Sequence, residues 1–527
     1  MATAPSEGVV VVGAGLAGSL AALFLRRRGD DVTLMDLRSD PRAAAAVAAS
    51  AATDGGLSLL ANASKRSINL ALSSRGLRAL RKLGLADEVL RDAVIMRGRM
   101  IHAPNGRTEL QPYGTTDEEV LNSVSREAIN RFLLERLSAP PEAGEGRVEL
   151  CFKHKVVGLG KDGSLTVLDT ADGGAPARTV RPRFIIGADG SFSVVRRELS
   201  KLCRLSLRHE YIEHGYLELS IPARPAGGRY GNGFALEPHA LHIWPRHDFM
   251  LIALPNRDGS FTGTLFASWT LLEQLEDPAV GLPFFREHFA DALAVMPDLA
   301  QELTANPRGA LATVRCDPWH AAGRVLLIGD AAHAVVPFYG QGMNAAFEDC
   351  LALDQALDEA RHNVPKAIAS FYTARKPACD ALADLSLQNY VEMCDTAQRA
   401  CAARARAALA VRGRARRLRG LLRRAACHVP PPAIALACRR SKTASRLFVL
   451  KNSLDAALHR WVPSWQPSLH TAVTFSPMPY HVAKARCEWQ DSLLGTAFHV
   501  SCALVGIAGV ALALKTSGAS ARLGAHA

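Results

Sequence analysis

Two glycine-rich stretches, far apart in the chain, carry residue types that suit a large anionic cofactor. The first is Gly13-Ala14-Gly15-Leu16-Ala17-Gly18; the second runs from Gly329-Asp330 to Gly340-Gln341-Gly342-Met343-Asn344. In the first, Gly13 suits a tight turn, Gly15 admits a pyrophosphate close to the backbone, and Gly18 lets a helix pack on a strand. Asp36, 21 residues after Gly15, is placed for a ribose hydroxyl. In the second, a helix starting at Met343 offers free N–H groups and a positive dipole end. Asp330 cannot serve a phosphate, because like charges repel, but it suits hydroxyls such as those of a ribityl chain. The first motif alone does not choose between NAD and FAD.

These residues need strands to present them and helices to face them. Val9–Val12 and Val325–Ile328 are short apolar runs that read as buried strands. Val32–Leu34 is a third and ends in Asp36. Phe184-Ile-Ile-Gly-Ala-Asp-Gly190 is a fourth and ends in Asp189-Gly190, with Arg196 beyond. Helices follow through Arg26, over Gly76–Leu83, and from Met343 with Phe347, Leu351 and Leu357 inward. Ser125 can cap a helix bearing Ile129, Phe132, Leu133 and Leu137 on one face. Arg126 in its first turn opposes the dipole, which favours a ligand role. From Tyr211 to Trp269 apolar and polar residues alternate in runs separated by turn residues, the pattern of an antiparallel sheet.

The chain has 527 residues, enough for two or three domains. Its 11 cysteines are scattered without a C-x-x-C pair, which argues against a disulfide framework or zinc site and for a reducing compartment. No metal site is expected. The eight residues MATAPSEG before the first strand carry neither a secretory nor a transit signal. The net charge of +12 is local: residues 399–460 hold 16 of the 62 Lys/Arg and one acid, Asp455. Within it the Ala/Arg-rich part, about 399–441, reads as a solvated insertion, and residues 39–63 as an Ala/Ser-rich one. Leu493–Leu514 is a charge-free run of 22 residues, which at about 1.5 Å per residue would span a bilayer.

The stretch GDAAHAVVPFYGQGMNAAFEDC resembles the second flavin motif of the group A FAD-dependent aromatic monooxygenases. Together with RSINLALS at 66–73, MRGRMIH at 96–102 and PYG at 112–114, it most resembles the kynurenine 3-monooxygenase family. The resemblance covers most of the chain and lapses over 39–63, about 399–441 and the last dozen residues. It implies an α/β fold with a doubly wound, Rossmann-like FAD-binding domain of the glutathione-reductase type over 1–204 and 316–365. An antiparallel substrate sheet over 205–315 would roof the flavin. A C-terminal helical region over 366–490 would lead to a transmembrane tail anchor at 493–514. The family's home is the mitochondrial outer membrane, with the catalytic body facing the cytosol.

The reaction implied is hydroxylation of L-kynurenine at ring position 3, in tryptophan degradation. NADPH reduces FAD, and O2 adds to the reduced flavin and delivers a hydroxyl to the ring. Gly13, Gly15, Ala17, Gly18, Asp36, Arg38, Ala71, Arg126, Val156, Asp189, Asp330, Gly342, Met343 and Asn344 would hold FAD. The helix start at Gly342 would favour the anionic reduced flavin. Gln341, Phe338 and Tyr339 would face the reacting ring. Arg99 and Tyr113 would clamp the carboxylate, a pairing guanidinium makes in two-pronged fashion. Asn389 would be a third substrate contact. His470 stands where the family has a tyrosine, which leaves affinity and pH dependence open. His333, inside the flavin motif, is given no catalytic role. Two other readings remain: a related monooxygenase for another aromatic acid, or a non-enzymatic membrane-anchored flavoprotein. Substrate-stimulated NADPH oxidation separates them.

Overall fold

The computed structural model describes residues 8–43, 69–394 and 465–494, apart from 115, 117, 172–175, 225–229, 231–232 and 467. The 399–441 segment and most of the 39–63 and 493–514 runs lie outside these residues.

Val9–Val12 reads VVVV and is buried throughout, as a central strand covered on both faces must be. It pairs in parallel with Phe184–Gly187 and Val32–Asp36. The six-stranded sheet runs His320–Ala321, Val325–Leu327, Phe184–Gly187, Val9–Val12, Val32–Asp36, Val148–Phe152. Only the first of these strands is antiparallel to its neighbour. Because the others point one way, Gly13, Asp36, Ala188-Asp189 and Gly329-Asp330 all leave the sheet at its carboxyl edge. That edge is where open α/β sheets bind ligands.

Two helices meet at this edge. Leu16–Arg27 has Arg26 and Arg27 in its last turn and no acid in its first, an arrangement that suits its dipole. Gly342–Glu359 packs beside it, with the Cys350 thiol donating to the Ala17 carbonyl at 3.3 Å. Phe347, Leu351 and Leu357 are buried on its inner face. The helix expected from Gly76 begins at Ser74. Ser125 caps Arg126–Ser138, accepting from the Ala128 N–H at 3.3 Å.

A second sheet has seven strands, in the order Arg308–Asp317, Ser206–Ile221, Phe261–Ser268, Phe249–Pro255, Ala240–Arg246, Gly98–His102, Thr108–Pro112. Its two faces differ. Leu251, Ala253, Leu265 and Ala267 pack on a helical layer that includes Leu272, Phe285, Phe289 and Leu303. Met250, Ile252 and Phe266 face the other way. Gly98–His102 pairs in parallel with Ala240–Arg246, so residues before 205 also belong to this sheet. A pairing across so many residues leaves no mark in local periodicity.

Val364–Cys394, a 31-residue helix, runs beneath the flavin motif. Leu469–Phe475, capped by Ser468, and a helix over 480–494 close the described structure. Among the described residues no helix is long and apolar enough to cross a membrane. The apolar run starting at Leu493 enters the described residues only with Leu493 and Leu494.

Candidate active site

A cavity of about 330 Å³ lies between the two sheets. One end is lined by Gly15, Leu16, Ala17, Arg126, Ala188, Gly190 and Asp330, the other by Arg99, Tyr113 and His470. Ala71, Gly340, Gly342 and Met343 lie on its wall too. A wider cleft of about 850 Å³ shares only Asn69 with it and touches neither glycine motif. Residue chemistry, not size, therefore selects the smaller space.

The first end is shaped by backbone. Gly13 has φ +106°, and a Cβ there would lie 2.4 Å from the Ala188 carbonyl oxygen. A Cβ on Gly18 would lie 1.9 Å from the Gly13 oxygen. A Cβ on Gly15 would meet nothing within 4 Å. Gly13 and Gly18 are thus required by the fold, whereas Gly15 keeps open a space at a helix N-terminus. Among the described residues no side chain caps that helix or Gly342–Glu359, so both starts keep donors for an anion. Exposed Asp330 lies beside them, and exposed Arg126 lines the cavity. These groups fit FAD: N–H groups and a guanidinium for the diphosphate, the Asp330 carboxylate for hydroxyls.

Several residues expected at the cofactor also hold the protein's own turns and helix starts. Asp36 accepts from the Ala14 N–H at 2.8 Å and from both Nε and Nη2 of Arg38. Burial opposes its charge, but these donors hold the carboxyl below the usual range. Asp189 accepts from the Val194 N–H at 2.7 Å and the Val195 N–H at 3.1 Å, so it caps the following helix. Arg196 donates to the Ala331 carbonyl at 2.7 Å, tying that helix to the second motif. Asn344 accepts from the Ser73 N–H and donates to the Ala71 and Gly340 carbonyls at 2.8 and 2.9 Å. Val156 is buried opposite Val167 and does not line the cavity.

The second end is made of side chains. Arg99 is half-buried, and its guanidinium carbon stands 5.6 Å over the Tyr113 ring. No carboxylate pairs with Arg99 among the described residues. The Tyr113 hydroxyl is buried without a hydrogen-bond partner among them. Burial pushes this phenol up to about 12, against the pull of Arg99, so it stays protonated. His470 stacks between Tyr113 and Tyr339, with ring centroids 5.7 and 5.6 Å away. Burial, then the charge of Arg99, hold its imidazole well below the ordinary histidine range, so it is neutral. A guanidinium without a carboxylate partner among the described residues, the phenol beside it and a neutral imidazole make a receptor for a carboxylate beside a planar group.

Phe338 and Tyr339 line the cavity; Phe338 stacks on Tyr390 at 4.0 Å. The buried Gln341 does not line it; its Oε1 accepts from the Tyr480 hydroxyl at 3.4 Å, and its amide nitrogen has no partner among the described residues. Asn389 donates to the Phe338 carbonyl at 2.6 Å and so shapes the loop, while Met393 one turn on reaches the cavity. His333 pairs with Asp349 at 2.6 Å. His333, Asp349 and Cys379 lie close enough together for a metal. However, Arg375 donates to Asp349 at 2.8 Å and approaches the Cys379 sulfur at 3.7 Å, and a guanidinium there repels a cation.

Sequence reasoning passed over the walls from the seven-stranded sheet: Tyr216, Met250, Ile252, Thr264 and Phe266. Their signal was alternation, since Met250 and Ile252 share one face while Leu251 and Ala253 take the other.

A family model described as an FAD binding domain matches residues 7–212 and 236–386. The kynurenine 3-monooxygenase of Salinispora arenicola is 39% identical over 513 residues, covering 97% of each chain. That of Myxococcus xanthus is 45% identical over 400 residues, 75% of this chain and 80% of its own. That of Sus scrofa is 35% identical over 501 residues, 95% and 90% respectively. Among solved structures, PqsL of Pseudomonas aeruginosa in complex with 2-aminobenzoylacetate has a TM-score of 0.57 at 21% identity, covering 74% of this chain and 97% of that one. The tetrameric form of 2-methyl-3-hydroxypyridine-5-carboxylic acid oxygenase has a TM-score of 0.55 at 22% identity, covering 73% and 90%. The two structural likenesses concern the fold.

Proposed function

Since the chain belongs to the kynurenine 3-monooxygenases, we propose that its cavity holds FAD at the glycine-motif end and the amino-acid carboxylate of L-kynurenine at the Arg99 end. The protein is an FAD-dependent kynurenine hydroxylase. Kynurenine, NADPH, a proton and O2 become 3-hydroxykynurenine, NADP⁺ and water. Bound FAD supplies the redox chemistry, taking hydride from NADPH and activating O2. The protein's own residues bind, orient and exclude water.

The observation that carries the substrate assignment is Arg99, a cavity guanidinium without a carboxylate partner among the described residues. Paired with the substrate carboxylate, and with the Tyr113 hydroxyl donating to the same group, it fixes the side chain of kynurenine. The aniline ring then extends toward Phe338 and Tyr339. Its amino group activates the ortho carbon, so no strong protein base is needed. Apolar walls from Met250, Ile252 and Phe266 keep water away, which favours transfer of oxygen to the ring over loss as hydrogen peroxide. Gly342 and Met343, at a helix start without an acid, favour the anionic reduced cofactor. Product analysis is the test: kynurenine, NADPH and O2 should give one product, heavier by one oxygen and hydroxylated at ring position 3. Unreacted kynurenine with stoichiometric peroxide would refute the assignment.

We also propose that the run from Leu493 to Leu514 anchors the chain, with the catalytic body on the cytosolic face of the mitochondrial outer membrane. Its support is the absence of charge over 22 residues. Truncation after Asp491 should release the protein from membranes. Retention through a high-salt wash would place the anchor elsewhere, while release of the full chain by salt would indicate the basic 399–460 segment.

A further inference from the structure

The Arg75 guanidinium is buried yet lines neither cavity. Its Nη1 pairs with Glu348 at 2.9 Å, on the helix that begins at Gly342. Its other donors go to one segment: Nε to the Val473 carbonyl at 2.5 Å, Nη2 to the Met478 and Ala472 carbonyls at 2.6 and 3.3 Å. The guanidinium carbon also stands 4.1 Å over the Tyr480 ring. Glu348 in turn pairs with Arg375 at 3.2 Å, and Arg375 with Asp349 at 2.8 Å. Asp349 accepts from the Gly329 N–H at 2.9 Å. A line of buried charges thus runs from the C-terminal segment to the turn that presents Asp330.

We propose that Arg75 is a positioning residue for the substrate end of the cavity. It gathers carbonyls of the segment just after His470 and references them to the flavin-facing helix through Glu348. His470 is thereby held between Tyr113 and Tyr339. The planar fork of guanidinium donors suits several fixed acceptors at once, which a lysine ammonium on a flexible stem does not. The proposal rests on the reading of His470 as part of the substrate clamp.

The test is a double-mutant cycle on the full, flavinated chain: Arg75→Lys, His470→Ala and both. Arg75→Lys should keep its flavin, raise KM for kynurenine about 10-fold, leave kcat within about threefold, and divert more oxygen to peroxide. If Arg75 acts through His470, the double variant should have the KM of His470→Ala alone to within about twofold. Multiplying effects, or a lowered melting temperature with unchanged KM, would overturn the proposal. Should Arg75→Lys fail to fold, Glu348→Gln is read the same way. Hydrogen exchange gives a readout independent of substrate: protection should fall over 469–475 and not over 16–27. Unchanged protection at 469–475 overturns the proposal, whereas a wild type indifferent to kynurenine overturns the substrate reading instead.

Discussion

At the flavin end of the cavity, Gly13, Gly15 and Gly18 act through the side chains they lack. At the substrate end, Arg99, Tyr113 and His470 act through side chains brought together from remote parts of the sequence. The first end is written in contiguous motifs, and its ligand is held largely by backbone N–H groups and helix starts. The second exists only once the seven-stranded sheet and the C-terminal segment have packed. Backbone recognition depends little on pH and is destroyed by added bulk; side-chain recognition is graded and titrates. Mutations that separate binding of cofactor from binding of substrate test this contrast.

The largest effect is expected at Gly15. Its missing Cβ faces open space, so Gly15→Leu should fold with a near-native melting temperature yet purify without flavin absorbance. Gly18→Leu should fail differently, by loss of folded protein, because its Cβ would collide with the Gly13 carbonyl. A fully flavinated Gly15→Leu protein would break the contrast at once.

Arg99→Met comes next. Loss of a charge-assisted pair in a shielded pocket costs about 2–4 kcal/mol, or roughly 30- to 1000-fold in kcat/KM. Most of this should appear in KM, since the carboxylate is remote from the reacting ring. Flavin content should be unchanged.

Tyr113→Phe should cost less. One hydrogen bond is worth about 0.5–1.5 kcal/mol, or roughly 2- to 10-fold in kcat/KM. Stability should not fall, because the hydroxyl has no partner among the described residues. A marked drop in melting temperature would mean that Tyr113 serves the fold.

The smallest effect concerns pH. His470 is held neutral in the folded protein, with its pKa well below 6.5. Below about pH 6.5 the unfolded chain takes up a proton that the folded chain does not. Stability from this group is therefore present above that pH and is lost as pH falls through it. Melting curves between pH 8 and 5 should decline more steeply for wild type than for His470→Phe. Parallel curves would mean that His470 is charged in the fold.

How much the sequence reveals follows the same division. The turn at Gly13, the capping by Ser125 and the inward face of Phe347, Leu351 and Leu357 are local, set by spacing within a few residues. The pairing of Gly98–His102 with Ala240–Arg246 is not local, and it is what sets Arg99 beside Leu241 on the cavity wall. Residue type alone also does not give direction. Gln341 and Asn389 stand close to the cavity, but their side chains turn to Tyr480 and to the Phe338 carbonyl. Asp189 and Asn344 also hold a helix start and a turn, roles that a motif match does not reveal.

The central claim is that Arg99 reads the substrate carboxylate while the glycine motifs hold the cofactor independently. Its most direct test compares kynurenine with kynurenamine, the same ring without the carboxylate, on wild type and Arg99→Met at equal flavin content. Wild type should prefer kynurenine strongly, and Arg99→Met should lose most of that preference while kynurenamine kcat/KM changes little. If the substitution harms both substrates equally, Arg99 does not bind the carboxylate, and the amino-acid assignment of this cavity is contradicted.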